Sequence, residues 1–142
     1  MTLYTLPDSP AKIKMRRYAL IYLCIALFCG LFSAVYEYFS HGVFADFMVY
    51  LFAFPLIGGV LPYAVLGFLR RAACPPLTLA RVYNSGIAAL TAGSCVQGIL
   101  DIYGTSSVYI PVYWILGGVL VLIPLALYLV RAVVNQGRRA GI

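Results

Sequence analysis

Residues 18–40 read YALIYLCIALFCGLFSAVYEYFS and follow directly on Arg16-Arg17. Their only formal charge is Glu37, close to the far end. As a helix rising 1.5 Å per residue, such a run reaches about 34 Å. The hydrocarbon core of a bilayer is about 30 Å thick, so the run crosses it with some tilt. A basic start and an apolar stretch also resemble a signal peptide. The run is too long for a signal h-region and no small-x-small site follows it, so it is expected to stay as a membrane span.

Three more runs of this kind follow. Phe47 to Leu69 is stopped by Arg70-Arg71, Val82 to Tyr103 follows Arg81, and Ile110 to Val130 is stopped by Arg131. The segments between them carry turn chemistry: His41, Gly42 and Asp46 in one, Cys74-Pro75-Pro76 in the next, Gly104-Thr105-Ser106-Ser107 in the last. Two consecutive prolines cannot continue a helix. The expectation is therefore an all-α, polytopic membrane protein. It forms a bundle of four transmembrane helices, at about 18–40, 47–69, 82–103 and 110–130, made of two consecutive helical hairpins. One membrane domain covers 1–142, with tails at 1–17 and 131–142.

The composition agrees. The 142 residues are 63% hydrophobic and 10% charged, with a mean hydropathy of +0.96. A soluble domain carries about 25% charged residues. A chain this apolar cannot cover a water-facing surface, so the lipid bilayer is its first partner. The net charge of +6 does not suggest nucleic acid, because the basic residues form short clusters between apolar runs and no aromatic-interleaved basic patch is present.

Those clusters set the orientation. Lys12, Lys14, Arg16 and Arg17 precede the first run, Arg70, Arg71 and Arg81 lie between the second and third, and Arg131, Arg138 and Arg139 follow the fourth. Together they are every Lys and Arg in the chain. The positive-inside rule places both termini and the middle loop in the cytoplasm, that is N-in and C-in. Glu37, Asp46 and Asp101 fall on the opposite side, and Asp8 alone shares the basic one. Tyr36, Tyr38, Tyr103 and Tyr109 mark the outer boundary and Tyr18, Tyr83 and Tyr128 the inner one, as interfacial aromatics do. The small size and absent processing signals point to a multi-pass protein of a plasma (inner) membrane.

Glycines and prolines give the helices their contact surfaces. Leu56-Ile57-Gly58-Gly59-Val60-Leu61-Pro62 in the second run resembles Ile115-Leu116-Gly117-Gly118-Val119-Leu120 in the fourth. Two such hairpins would be related by an axis along the membrane normal. Gly58, Gly59, Gly117 and Gly118 remove side chains near mid-helix and let another backbone approach. The third run holds Gly86, Gly93, Ser94, Gly98 and several alanines, which suits a central helix. Pro55, Pro62 and Pro124 should kink their helices.

Chemistry, if any, is expected at the outer end. Glu37 and His41 share a face if the first helix continues to His41. Asp46 comes from the following turn. Asp101 stands at the same depth on the third helix, with Gln97 and Ser94 below it in a stripe that includes Thr91. Three carboxylates and one histidine without a neighbouring cation form a negative field that suits a cation, a protonated amine or proton transfer. A metal site is not expected, because zinc wants three or four closely spaced ligands. No catalytic residues and no cofactor are assigned: HExxH, GxSxG, the P-loop and the dinucleotide fingerprint are all absent. The four cysteines, Cys24, Cys29, Cys74 and Cys95, read as reduced, with Cys24 and Cys95 able to approach across helices.

Three functional readings follow. The first is a non-enzymatic component of a membrane complex or homo-oligomer. The second is a small transporter or channel-like protein taking a cation or proton at Glu37, His41, Asp46, Asp101 and Gln97. The third is a redox subunit holding a cofactor at the glycine pairs.

Overall fold

The computed structural model describes residues 10–68 and 74–140, with side chains over 13–68 and 74–135. Lys12, Arg70, Arg71, Arg138 and Arg139, which contribute to the orientation argument, lie outside the described side chains. Every regular element among the described residues is helical. Helix α1 spans Pro10–Phe39, α2 Asp46–Val49, a π-helical segment Phe54–Val60, α3 Leu61–Phe68, α4 Leu77–Ile102 and α5 Ile110–Ala140. Four stretches are long and apolar enough to cross a membrane: Ile13–Phe39, Asp46–Phe68, Leu77–Ile102 and Ile110–Asn135.

The helices overrun the apolar stretches that announce them. Helix α1 starts at Pro10, whose fixed φ and missing N–H suit a first helical position. Helix α4 starts at Leu77, directly after Pro75-Pro76, rather than at Val82. Ala80 N–H already bonds to the Pro76 carbonyl at 3.1 Å. Helix α5 continues to Ala140 instead of ending near Val130. Hydropathy marks where lipid begins, whereas helix ends follow backbone hydrogen bonding, which tolerates a polar residue in water.

The second span departs most from a plain helix. Helix α2 stops at Val49, and the chain then turns through Tyr50 to Phe52 before the π-helical segment begins. Leu61 N–H closes a π-type bond to the Leu56 carbonyl. Pro55 and Pro62 each lack the donor a regular α-ladder would use, and Gly58-Gly59 lowers the steric cost of a wider turn. The Gly117-Gly118 pair, by contrast, sits in uninterrupted α-helix. Similar sequence thus adopts different backbone in the second and fourth spans.

The spans pack in chain order. Helix α1 lies on the π-helical segment and α3, the second span lies on α4 through α2 and the π-helical segment, and α4 carries α5 along its length. Glycines set the closest approaches. A Cβ at Gly98 would stand 2.8 Å from the Met48 backbone nitrogen, and one at Gly86 would stand 2.8 Å from the Leu120 carbonyl carbon. Leu20, Leu27, Phe28, Leu31, Ile115 and Leu122 are exposed, as lipid-facing residues should be.

Candidate functional site

The acidic end is built from the C-termini of α1 and α4 and the start of α2. Helix α4 ends in a Schellman arrangement: Thr105 N–H bonds to the Leu100 carbonyl at 2.9 Å and Gly104 N–H to the Asp101 carbonyl at 3.1 Å, with Gly104 at φ 69°. Helix α1 ends at Phe39. The Ser40 hydroxyl lies 2.7 Å from the Glu37 carbonyl and 2.6 Å from that of Val43, and His41 takes a left-handed φ of 57°. His41 is therefore in a turn, and the shared helical face with Glu37, which required α1 to continue, does not form.

The five candidate residues meet only in part. Gln97 Nε2 donates to Asp101 Oδ1 at 2.7 Å, one turn apart on α4. Asp101, Asp46 and His41 are exposed. Glu37 is half-buried, and its Oε1 is enclosed with no hydrogen-bond partner among the described residues. Among the described residues, no three His, Cys, Asp or Glu side chains are grouped closely enough to hold a metal ion. A cleft of about 420 Å³ opens here between Phe32, Tyr36, Phe39, His41, Ile102 and Tyr103. His41 lines it, but none of the three carboxylates does.

One helical step deeper, two serines hold the broken start of the second span. Ser33 of α1 donates to the Met48 carbonyl and Ser94 of α4 to the Phe47 carbonyl, each at 2.7 Å. Both serines are buried, Ser94 completely. Helix α2 has only 4 residues, and side chains from both flanking helices donate to its carbonyls, that of Met48 also accepting from Leu51 N–H at 3.2 Å. Thr91, on the same α4 stripe, bonds within its helix to the Ile87 carbonyl at 2.8 Å. Buried Cys29 belongs to the apolar cluster that Cys95 packs against, whereas Cys24 is exposed. The thiol nearest Cys95 across the helices is thus that of Cys29 and not Cys24, because helical rotation turns Cys24 toward lipid.

The basic end holds a group that sequence reasoning missed. Asn84 of α4 accepts two phenol hydrogen bonds at Oδ1, from Tyr22 of α1 at 3.0 Å and from Tyr63 of α3 at 2.6 Å. The rings of Tyr22 and Tyr63 stack at 5.7 Å, with Tyr18 at 5.3 Å and Tyr83 at 6.3 Å from Tyr63. Tyr83 donates to the Gly58 carbonyl at 2.7 Å. One amide and three hydroxyls therefore join three spans in an apolar surround. Tyr18 and Tyr83 read in the sequence as interfacial anchors, and Tyr22, Tyr63 and Asn84 drew no notice. An amide three residues inside Arg81, in a run this apolar, was the available signal. Beside the tyrosines, an apolar cleft of about 200 Å³ is lined by Pro62, Leu79, Tyr83, Pro124 and Tyr128.

The expected contact glycines have definite neighbours. A Cβ at Gly58 would meet Ile87, at Gly59 Tyr22, at Gly93 Tyr113 and at Gly117 Leu90. At Gly118 it would meet nothing within 4 Å.

Comparison with protein-family models, with known proteins and with solved structures found no match to this chain.

Proposed function

We propose that this chain is a non-enzymatic component of a membrane complex or homo-oligomer. In this reading it sits in a plasma (inner) membrane, its basic end and both termini cytoplasmic, as the positive-inside rule implies. The observation that carries the reading is Gly118. It opens a notch on the side of α5 away from α4, on a face shared with exposed Ile115, Leu122 and Leu129. Small residues on a lipid-facing helix let a second helix come close, and van der Waals packing then drives association. The polar side chains inside the spans support the same reading. Ser33, Ser94, Asn84, Tyr22, Tyr63 and Tyr83 are engaged within the chain rather than lining a passage.

The test is the mass of the particle purified in mild detergent, with Gly118→Leu alongside. A species larger than one chain, reduced in the variant, is the expected outcome. A lone monodisperse monomer without a co-purifying protein would rule the reading out. Proteolysis of a tag placed after Ile142, in intact cells, tests the orientation separately.

A second reading, cation or proton handling at the acidic end, is favoured by one observation: the enclosed Oε1 of Glu37, which has no hydrogen-bond partner among the described residues. Proteoliposome flux should then fall in Glu37→Gln and Asp101→Asn, and unchanged flux in both removes it. Ile87, Tyr22 and Leu90 occupy the space a cofactor would need beside Gly58, Gly59 and Gly117.

A further inference from the structure

Two apolar depressions on α1 run into one another. One follows the helix surface from Arg17 through Leu20, Ile21 and Cys24 to Ile25 and Phe28. The other lies between α1 and α4, holds about 450 Å³ and shares Ile25 and Phe28 with the first. Leu51 and Pro55 of the second span line this groove, and Ala88 and Ala92 of α4 form its opposite wall. The groove exists because α1 and α4 both pack on the second span and not backbone to backbone on each other. Small residues on α4 leave it open.

The depression has one polar end. Arg16 is turned inward, its stem against Gly67 and its guanidinium 4.9 Å over the Phe68 ring. Arg17 is exposed and lines the depression, with exposed Lys14 about one turn before it. From Arg17 to Phe28 the helix rises about 16 Å. That matches one leaflet, half of a hydrocarbon core of about 30 Å. A cation at the interface above an apolar channel one leaflet deep complements an amphiphile with an anionic head and a long chain.

We infer that this groove binds an anionic phospholipid of the leaflet at the basic end. Its phosphate lies at Arg17, and one acyl chain runs along Cys24 and Phe28 to Leu51 and Pro55. A cation at one end of an otherwise apolar groove favours an amphiphile over a partner helix.

Native mass spectrometry of the full chain tests this, with phosphatidylglycerol and phosphatidylcholine of identical acyl chains added to the micelles. The wild type should retain phosphatidylglycerol preferentially. Arg17→Gln should reduce that preference roughly fivefold, the factor one basic residue near a membrane surface is worth. Arg131→Gln, the same charge loss on α5, should leave it unchanged. Ala92→Leu, which fills the groove, should lower retention of both lipids, and Ala88→Leu on the same wall repeats the measurement if Ala92→Leu does not fold. Equal losses in Arg17→Gln and Arg131→Gln would reduce the effect to unlocalised charge and overturn the proposal. Unaltered retention in the groove-filling variants would do the same, as would their abolishing a dimer instead of lipid adducts.

Discussion

The Tyr83 hydroxyl donates to the Gly58 carbonyl at 2.7 Å, from α4 to the π-helical segment. In an α-helix that carbonyl would accept from the residue four positions on. That residue is Pro62, which has no N–H. In the π register of this segment the backbone donor falls to Tyr63 instead, and the Tyr83 hydroxyl adds a donor from another helix where the ladder changes from π to α.

Tyr83→Phe is thus expected to destabilise the protein by about 1 kcal/mol, within the range of hydrogen bonds between membrane helices. Pro62→Ala restores a possible backbone donor. In its presence, Tyr83→Phe should cost less, and a double-mutant cycle on thermal unfolding in detergent measures the difference. Strict additivity would mean that the two residues do not serve the same carbonyl.

Asn84 accepts from two tyrosines at one oxygen. Replacing it leaves both hydroxyls without that acceptor, at about 1–3 kcal/mol for a buried polar group left unpaired. Asn84→Leu should therefore lower the melting temperature further than Tyr22→Phe or Tyr63→Phe, each of which removes one donor and keeps the amide bonded. If either single tyrosine variant proved the more damaging, ring stacking and not the hydrogen bonds would be the main contribution there.

The glycines differ in what surrounds them. Gly98→Ala pushes a methyl against the Met48 backbone, where a Cβ would stand 2.8 Å from the nitrogen and 3.0 Å from Cα. Backbone cannot swing aside as a flexible side chain can. We expect a loss of about 1–3 kcal/mol, typical of overpacking. Gly118→Ala places its methyl in open space and improves helix propensity, so the fold of the single chain should be unharmed. Thermal unfolding of the two variants side by side is the check.

Cys29 and Cys95 are on opposite walls of the α1–α4 groove, and Cys24 lines the outer surface of α1. A short thiol cross-linker should therefore join α1 to α4 in Cys24→Ala and fail in Cys29→Ala. Electrophoretic mobility after proteolysis between the two helices reads the result. A cross-link that depended on Cys24 would mean that α1 is rotated about its axis from the arrangement described.

The acidic end was the least legible part of the sequence. Glu37, His41, Asp46 and Asp101 lie at similar distances along their runs, and that is all spacing reports. How they converge depends on where α1 stops, and that is decided by Ser40, which donates to the Glu37 carbonyl, and by the left-handed turn at His41. Tyr18 and Tyr83 at the other end read as anchors because hydropathy gives an aromatic near a boundary only a depth. Whether Tyr22 and Tyr63 face lipid or Asn84 is a matter of helix rotation. Ser94 was legible, since a hydroxyl in a small-residue stripe must turn away from lipid, but its partner, the Phe47 carbonyl, was not.

Four apolar stretches, long enough to span a bilayer and separated by turn residues, were determined by the sequence alone. Hydrocarbon admits neither charge nor unpaired backbone, and a helix is the local solution to both demands. Tertiary packing decided what no single stretch could: that the second span is broken and partly π-helical, that serines and a tyrosine from its neighbours donate to its carbonyls, and that α1 and α4 stand apart around a groove. These features depend on residues from different spans meeting at particular rotations, and the hydropathy of a helix says little about its rotation.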